Sequence, residues 1–223
     1  MRTQPNKTTF LKNQLLTPKI HNVIILDGSG SMAGAKYRSA TAGIQLDLRT
    51  CKNEDFATYT FVEFNNTNSI TTHVFMEMLN KVKLFFNGPK GNTPLYQTIG
   101  RTLETLLQSV PKEDKVLVKI FTDGEHNVST GKYSTVEEVK PLIATCEARG
   151  FTITFIGTDY DTKQIVKNLK ISTSNTLVHN NTGEGVRAAF NTQAMATQEY
   201  SKRVANNEDV TTGFYSKTMT NNN

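Results

Sequence analysis

The sequence has little of what marks a membrane or secreted protein. No apolar run approaches the roughly 20 residues that a membrane-spanning helix needs. Residues 1–20 are polar and lack the apolar stretch of a secretory signal. The composition, with 37% hydrophobic and 20% charged residues, is that of a globular protein. We therefore expect no membrane association and a cytoplasmic location.

Cysteine and clustered basic residues are also scarce. The two cysteines, Cys51 and Cys146, do not have the spacing of a metal-binding or redox motif. A cytosolic setting favours free thiols over the alternative, a disulfide between them. The net charge of +5 comes from scattered residues, with no arginine-rich run and no basic stripe interleaved with aromatics. This pattern argues against nucleic acid as a partner.

Strand-like apolar runs alternate with helical patterns from residue 20 to about residue 200, which predicts a mostly parallel sheet with helices on both faces. At 223 residues the chain is long enough for one such α/β domain and short for two. The six predicted strands are 23–26, 58–64, 70–75, 116–121, 151–156 and 176–178. Only five residues separate the second and third strands, so this pair is predicted to be an antiparallel hairpin in a doubly wound sheet.

Periodic apolar residues and capping signals predict the helices. Ser134 with Glu137 forms a capping box for one helix, and Asp161 with Gln164 marks the start of another. A last helix is predicted from 185 to about 204. The first helix after the hairpin carries apolar residues at spacings of four and three: Leu95, Ile99, Leu103, Leu106 and Val110.

The composition divides the chain into three parts. Residues 1–19 are predicted to be an N-terminal extension and residues 20–205 the folded domain. Residues 206–223 are rich in Asn and Thr and contain few apolar residues to offset the entropy of ordering. We expect them to form a flexible C-terminal tail.

Three polar stretches are predicted to lie at one edge of the sheet. Asp27-Gly28-Ser29-Gly30-Ser31 follows the first strand, and Thr122-Asp123-Gly124 follows the fourth. Gly91-Asn92-Thr93-Pro94-Leu95 is a loop that leads into a helix. Ligands of open α/β sheets gather beyond the carboxyl ends of the strands, where the strand order reverses. Carboxylate and hydroxyl oxygens suit a hard divalent cation such as Mg²⁺.

Together these stretches resemble the von Willebrand factor A (vWA) family. Its metal-ion-dependent adhesion site (MIDAS) combines an Asp-x-Ser-x-Ser turn, a Thr on a second loop and an Asp on a third. The order and spacing match, and the resemblance covers roughly residues 19–205, closer to intracellular and bacterial members than to integrins. It implies a Rossmann-like fold and a complete site, in which Ser29, Ser31 and Thr93 offer hydroxyls while Asp27 and Asp123 bind the cation directly or through water. Mg²⁺ is expected, with Mn²⁺ or Ca²⁺ as alternatives.

Each of these residues also has an ordinary structural interpretation. Ser31 could cap a helix that begins near Met32, and Thr93 could cap the helix that opens with Pro94. Asp27 and Asp123 could be simple turn residues beside glycine. Taken together, their positions at strand ends favour a metal site.

Three nearby residues lie beside the predicted donors. Glu125 and His126 follow Asp123 and could line the rim, although for His126 an exposed loop histidine is favoured over a rim contact. Asn92 stands where many members of the resembled family have glycine. This departure is mild, because Asn tolerates left-handed backbone geometry better than most residues.

The resemblance implies a protein-binding adaptor or assembly module without catalysis, in which the metal engages an acidic residue of a partner protein. Neutral hydroxyl ligands leave the cation electrophilic, so that a partner carboxylate can complete the octahedral shell of Mg²⁺. Some intracellular relatives work with AAA+ ATPases or in multi-subunit assemblies, which suggests a partner of that kind.

Two other functions stay open. The chain could be a structural component of a larger assembly, with a metal site that is not essential. It could also be a phosphate- or nucleotide-handling metalloenzyme, because glycine-rich turns hold phosphate in such folds. However, Gly28, Gly30 and Gly34 miss the dinucleotide-binding spacing, and Gly34-Ala35-Lys36 lacks the ending of a P-loop. We therefore expect no enzymatic activity.

Overall fold

Six strands form one sheet in the order β3-β2-β1-β4-β5-β6. The computed structural model describes residues 18–65, 70–124, 126–128, 131–216 and 218, except for the side chains of 159–161. All neighbouring strands are parallel except β2 and β3, which confirms the predicted hairpin and fold class. The turn residues 66–69 lie outside the described residues. The strands are β1 (Ile20–Asp27), β2 (Thr58–Phe64), β3 (Ile70–Met78), β4 (Lys115–Phe121), β5 (Phe151–Thr158) and β6 (Thr176–His179).

Within the described residues, five α-helices cover both faces of this sheet: α1 (Ala35–Asn53), α2 (Leu95–Ser109), α3 (Val136–Ala148), α4 (Asp159–Leu169) and α5 (Gly183–Ala205). Short 3₁₀ helices lie at Gly30–Met32 and Thr173–Asn175. Helices α1 and α5 pack on the face that contains Ile24 of β1, and the other three helices pack on the face that contains Val23. Successive side chains of a strand point to opposite faces of the sheet. Because helices cover both faces, β1 is buried at every position. This double coverage explains the continuous apolar run in the sequence.

The helix starts differ slightly from the sequence predictions. Helix α3 has its capping box one residue later, with Glu138 accepting the backbone N–H of Thr135 at 2.9 Å. Helix α4 begins at Asp159, before the predicted start at Asp161, because β5 runs directly into it at Thr158. Helix α5 begins at Gly183, where the hydroxyl of the preceding Thr182 accepts the Gly185 N–H at 3.0 Å.

The segment after α5 packs against the domain, although its composition had suggested a flexible tail. Val210, Phe214 and Tyr215 are buried within the same core as α1 and α5. The backbone of Tyr215 donates to the Ser174 carbonyl at 2.9 Å. Residues 206–216 therefore belong to the folded domain, whereas 217 and 219–223 lie outside the described residues.

Both cysteines are buried free thiols, Cys51 on α1 and Cys146 on α3. Burial raises the pKa of the Cys146 thiol to about 12 and that of Cys51 well above its usual range. Among the described residues, no helix has the length and apolar character required to cross a membrane.

One buried ion pair links the sheet to helices α1 and α5. Lys119 of β4 donates to Asp47 of α1 at 2.5 Å, and both side chains are 1% exposed. Gln193, Asn22 and Tyr59 complete the shell of the Asp47 carboxylate with hydrogen bonds of 2.9–3.0 Å. Buried charges are tolerated when they are paired and hydrogen-bonded in this way.

Candidate metal site

The predicted site lies where the strand order reverses. Strands β1 and β4 are parallel neighbours at the centre of the sheet, and the chain continues from β1 to β2 on one side and from β4 to β5 on the other. Asp27 is the last residue of β1, and Asp123 lies two residues beyond the end of β4. Both carboxylates are therefore held at the edge where open α/β sheets bind ligands.

Asp27 is fully buried and organises the turn that follows it. Its Oδ1 accepts the Ser29 N–H at 2.7 Å, and its Oδ2 accepts the Thr122 hydroxyl at 2.5 Å. Burial raises the pKa of Asp27 to about 6, although the hydrogen bonds from Thr122 and Ser29 act in the opposite direction. Glycine fits position 28 without displacing its neighbours, because a Cβ there would lie 2.9 Å from Glu63 Oε1 and 3.3 Å from the Phe64 carbonyl oxygen. The turn thus lies tightly against β2.

Three hydroxyls and the second carboxylate converge beside Gly124. The Oγ atoms of Ser29 and Ser31 are 3.0 Å apart, and Ser31 Oγ donates to Asp123 Oδ1 at 2.7 Å. A Cβ added to Gly124 would lie 3.6 Å from Ser31 Oγ and 3.8 Å from Thr93 Oγ1. The hydroxyls of Ser31 and Thr93 therefore border the same small space, which glycine leaves open. The structure brings all five predicted residues together.

Backbone contacts hold the second loop against the first. Gly30 N–H donates to the Gly91 carbonyl at 3.2 Å, and Lys90 N–H donates to the Gly28 carbonyl at 2.8 Å. The side chain of Asn127 accepts the Thr93 N–H at 2.8 Å and so fixes Thr93 to the third loop. Sequence reasoning gave Asn127 no role. Its position four residues after Asp123, in the same loop, was the only available signal.

The capping interpretations of Ser31 and Thr93 do not match the structure. Helix α1 begins at Ala35 and is preceded by Gly34, and helix α2 begins at Leu95 and is preceded by Pro94. Neither hydroxyl residue occupies the capping position of its helix. The Ser31 hydroxyl points to Asp123 instead.

A lysine occupies the remaining side of Asp123. Lys36 of α1 forms an ion pair with Asp123 Oδ2, and its ammonium also donates to Asn181 Oδ1 at 3.0 Å. The Asp123 side chain is 0% exposed, whereas that of Lys36 is 17% exposed. Asn181 lies in the exposed loop between β6 and α5. The sequence motif included Lys36 without a role, and Asn181 was not predicted.

The structure gives different outcomes for His126, Asn92 and Glu125. His126 is half-buried, with its ring stacked on Tyr96 at 4.2 Å and its Nε2 donating to the Ser134 carbonyl at 3.2 Å. It is thus not the exposed loop histidine that was favoured, and burial lowers its pKa. Asn92 is exposed and has no positive φ, so the glycine of the resembled family is not required there. Glu125 lies outside the described residues.

This set of donors fits a hard divalent cation. The described residues contain no group of three or more His, Cys, Asp or Glu placed to hold a metal, so a cation here would rest on two carboxylates and three hydroxyls. All-oxygen donors suit Mg²⁺, Mn²⁺ or Ca²⁺ better than softer metals. The Lys36 ammonium on Asp123 shows that this position attracts a positive charge.

The fold is the Rossmann-like fold of vWA domains. A von Willebrand factor type A structure from Catenulispora acidiphila is similar with a TM-score of 0.54 and 14% identity, over 82% of this chain and 43% of that chain. No family model and no curated protein matches the sequence.

Two further structures have the same fold. The pilus adhesin SpaC from Lactobacillus rhamnosus GG gives a TM-score of 0.62 and 14% identity, over 81% of this chain and 31% of that chain. Manganese-loaded TRAP protein from Plasmodium vivax gives a TM-score of 0.51 and 13% identity, over 78% of this chain and 72% of that chain. The chain spans less than half of the SpaC and Catenulispora chains. At these identities the likeness shows the fold alone.

Proposed function

We propose that this chain is a metal-dependent protein-binding module that binds an acidic residue of a partner protein. Asp27, Ser29, Ser31, Thr93 and Asp123 would hold the cation, with Mg²⁺ as the expected ion. The observation that carries this proposal is that three separate loops bring these residues together. The Ser31 and Thr93 hydroxyls border one space beside Gly124, Ser29 and Asp123 contact Ser31, and Asp27 accepts the Ser29 N–H.

The five residues would divide the work between orientation and coordination. Both oxygens of Asp27 already accept hydrogen bonds, so this carboxylate holds Ser29 and Thr122 in place as well as supplying negative charge. The hydroxyls of Ser29, Ser31 and Thr93 add oxygen atoms without adding charge. A cation bound here would supply an electrophilic centre with affinity for a partner carboxylate.

The neighbours support this proposal only at the level of the fold. One of them is a manganese-loaded protein and another is a pilus adhesin. We extend from them neither the metal nor the partner. The proposed partner is a protein that presents an exposed Asp or Glu, such as an AAA+ ATPase or a subunit of a larger assembly, and the proposed location is the cytoplasm.

We also propose that the module is not an enzyme. Two described imidazoles lie in or beside the loops around the five oxygen donors. That of His126 is engaged with Tyr96 and Ser134, and that of His179 stacks on Phe121 and donates from Nδ1 to the Asn180 carbonyl at 2.8 Å. A nucleophile activated by a base would need a free base within hydrogen-bond reach. The Ser31 hydroxyl instead donates directly to a carboxylate that is paired with Lys36.

Affinity capture from the native cell extract tests this function. Wild-type protein, Asp27→Ala and Glu113→Ala would each be used with Mg²⁺ and with EDTA, followed by identification of the retained proteins. Glu113 is the matched control, because it is an exposed carboxylate next to the start of β4, at the opposite edge of the sheet. We expect a partner that is retained by wild-type and Glu113→Ala protein with Mg²⁺ and lost in every other sample.

The other outcomes favour the alternatives. Partners that are retained in EDTA and by Asp27→Ala would indicate a structural component whose contacts lie elsewhere. Retention of a phosphorylated metabolite without a protein would indicate an enzyme.

A further inference from the structure

Lys36 occupies one of the two carboxylate oxygens of Asp123, a proposed metal donor. Its ammonium pairs with Asp123 Oδ2, while Ser31 occupies Oδ1 of the same carboxylate. The Asp123 side chain is fully buried, so its charge is balanced by this lysine rather than by solvent. A cation that binds Asp123 must therefore replace or repel the Lys36 ammonium.

We infer that Lys36 is an internal cation that competes with the metal for Asp123 and so sets the metal concentration at which the site fills. This inference rests on the proposed metal site. Lys36 is not a metal donor, because its ammonium offers no oxygen to a cation. It acts only by holding the carboxylate when the metal is absent.

The position of Lys36 allows this exchange. Its side chain is partly exposed at 17%, and its second partner is Asn181 on an exposed loop. A lysine ammonium is a point charge on a flexible four-carbon stem, so it can leave Asp123 for solvent without moving helix α1. The contact with Asn181 at 3.0 Å holds the ammonium at the site in the metal-free state.

Competition of this kind has a defined thermodynamic signature. When the lysine occupies the carboxylate, the metal can bind only to the fraction of molecules in which that carboxylate is free. The apparent metal affinity is the intrinsic affinity multiplied by this fraction. Removing the ammonium should raise metal affinity. It should also destabilise the metal-free protein, because Asp123 is then a buried carboxylate without its counter-charge.

The test compares Lys36→Met with Lys90→Met. Methionine keeps the apolar stem and removes the charge in both variants. Lys90 is an exposed lysine whose backbone N–H reaches the Gly28 carbonyl, so it belongs to the loops of the site, and that backbone contact survives the substitution. The comparison separates direct competition from the general effect of one less positive charge nearby.

Isothermal titration with Mn²⁺ and with Mg²⁺ should show about tenfold tighter binding by Lys36→Met and a change of about twofold or less by Lys90→Met. In EDTA, Lys36→Met should melt at a lower temperature than wild-type protein. Saturating metal should remove most of that difference. Equal metal affinities for the two variants would overturn the inference.

A milder variant keeps the test decisive if Lys36→Met does not fold. Asn181→Ala removes the second contact of the ammonium at an exposed position, and we expect metal binding about two- to threefold tighter than wild type. Unchanged affinity in Asn181→Ala would then count against the inference. Absence of metal binding by wild-type protein would instead overturn the proposed function, so the two failures are distinguishable.

Discussion

Two aspartate–lysine pairs of this protein make the same chemical contact in different surroundings. Asp47 and Lys119 are both 1% exposed, and the carboxylate is surrounded by hydrogen bonds from Asn22, Tyr59 and Gln193. Asp123 is equally buried, but its lysine is partly exposed and is held by a loop residue. The first pair lies between the sheet and two helices, and the second lies at the open edge of the sheet.

Both aspartates are buried, so the two pairs differ in the burial of the lysine. A buried lysine makes a structural pair, and a partly exposed lysine makes an exchangeable one. Lys119 cannot leave Asp47 without carrying its charge through the core, which costs several kcal/mol. Lys36 needs only to rotate toward solvent. A carboxylate with a removable ammonium is suited to bind another cation.

The largest effect is expected from Lys119→Met, which leaves the Asp47 carboxylate buried without a counter-charge. We expect a loss of about 3–5 kcal/mol in the free energy of unfolding. Urea unfolding followed by circular dichroism would measure it. Lys112→Met, at an exposed position before β4, is the control and should change the stability by less than about 0.5 kcal/mol. A small effect at Lys119 would remove the distinction between the two pairs.

The next largest effect is expected from Asp27→Asn. Unlike Asp47 and Asp123, the buried Asp27 carboxylate accepts its hydrogen bonds from Ser29 and Thr122. The folded-state pKa of Asp27, about 6, is above its usual value of 3.8. The contribution of Asp27 to the stability of the metal-free protein is therefore greatest below the lower value and is lost as the pH rises through the higher one. At pH 7.5 in EDTA we expect Asp27→Asn to be more stable than wild type by roughly 1–3 kcal/mol.

Two further measurements complete this test. Asp27→Asn should lose the stabilisation that Mg²⁺ gives to wild-type protein, which thermal melts with and without metal would show. The stability difference between the two proteins should also shrink at pH 4. A difference that does not depend on pH would mean that the Asp27 charge does not oppose folding.

The smallest effect is expected from Gly124→Ala, which places a methyl group between the hydroxyls of Ser31 and Thr93. Gly124 does not have a positive φ, and the added Cβ makes only ordinary contacts at 3.6 and 3.8 Å. We expect a stability change within about 0.5 kcal/mol. Metal affinity should fall by up to about tenfold, roughly 1.4 kcal/mol, as measured by titration. Unchanged affinity would place the cation elsewhere.

The sheet could be predicted because its strands are buried on both faces and therefore appear as continuous apolar runs. The helix starts were less certain for a specific reason. Ser134 with Glu137 and Thr135 with Glu138 have the same three-residue spacing and the same chemistry, so the sequence does not choose between them. In the structure the second pair forms the capping box.

The predicted metal donors share a local signal, since each lies in a short motif next to a strand or helix. Lys36 and Asn181 do not. The contact of Lys36 with Asp123 joins residues 87 apart in sequence, and its contact with Asn181 joins residues 145 apart. Such pairs depend on how α1 and the β6–α5 loop are placed over the sheet. Motif spacing carries no information about that placement.

The segment that follows helix α5 determines where this domain can be cut or joined to another protein. A chain that ends at Ala205 keeps strands β1 to β6, helices α1 to α5 and every proposed metal donor. It nevertheless loses Val210, Phe214 and Tyr215 from the core, and with them the carbonyl that the buried Thr152 hydroxyl donates to at 2.7 Å. Fusion junctions and expression boundaries therefore belong after residue 218, well beyond helix α5.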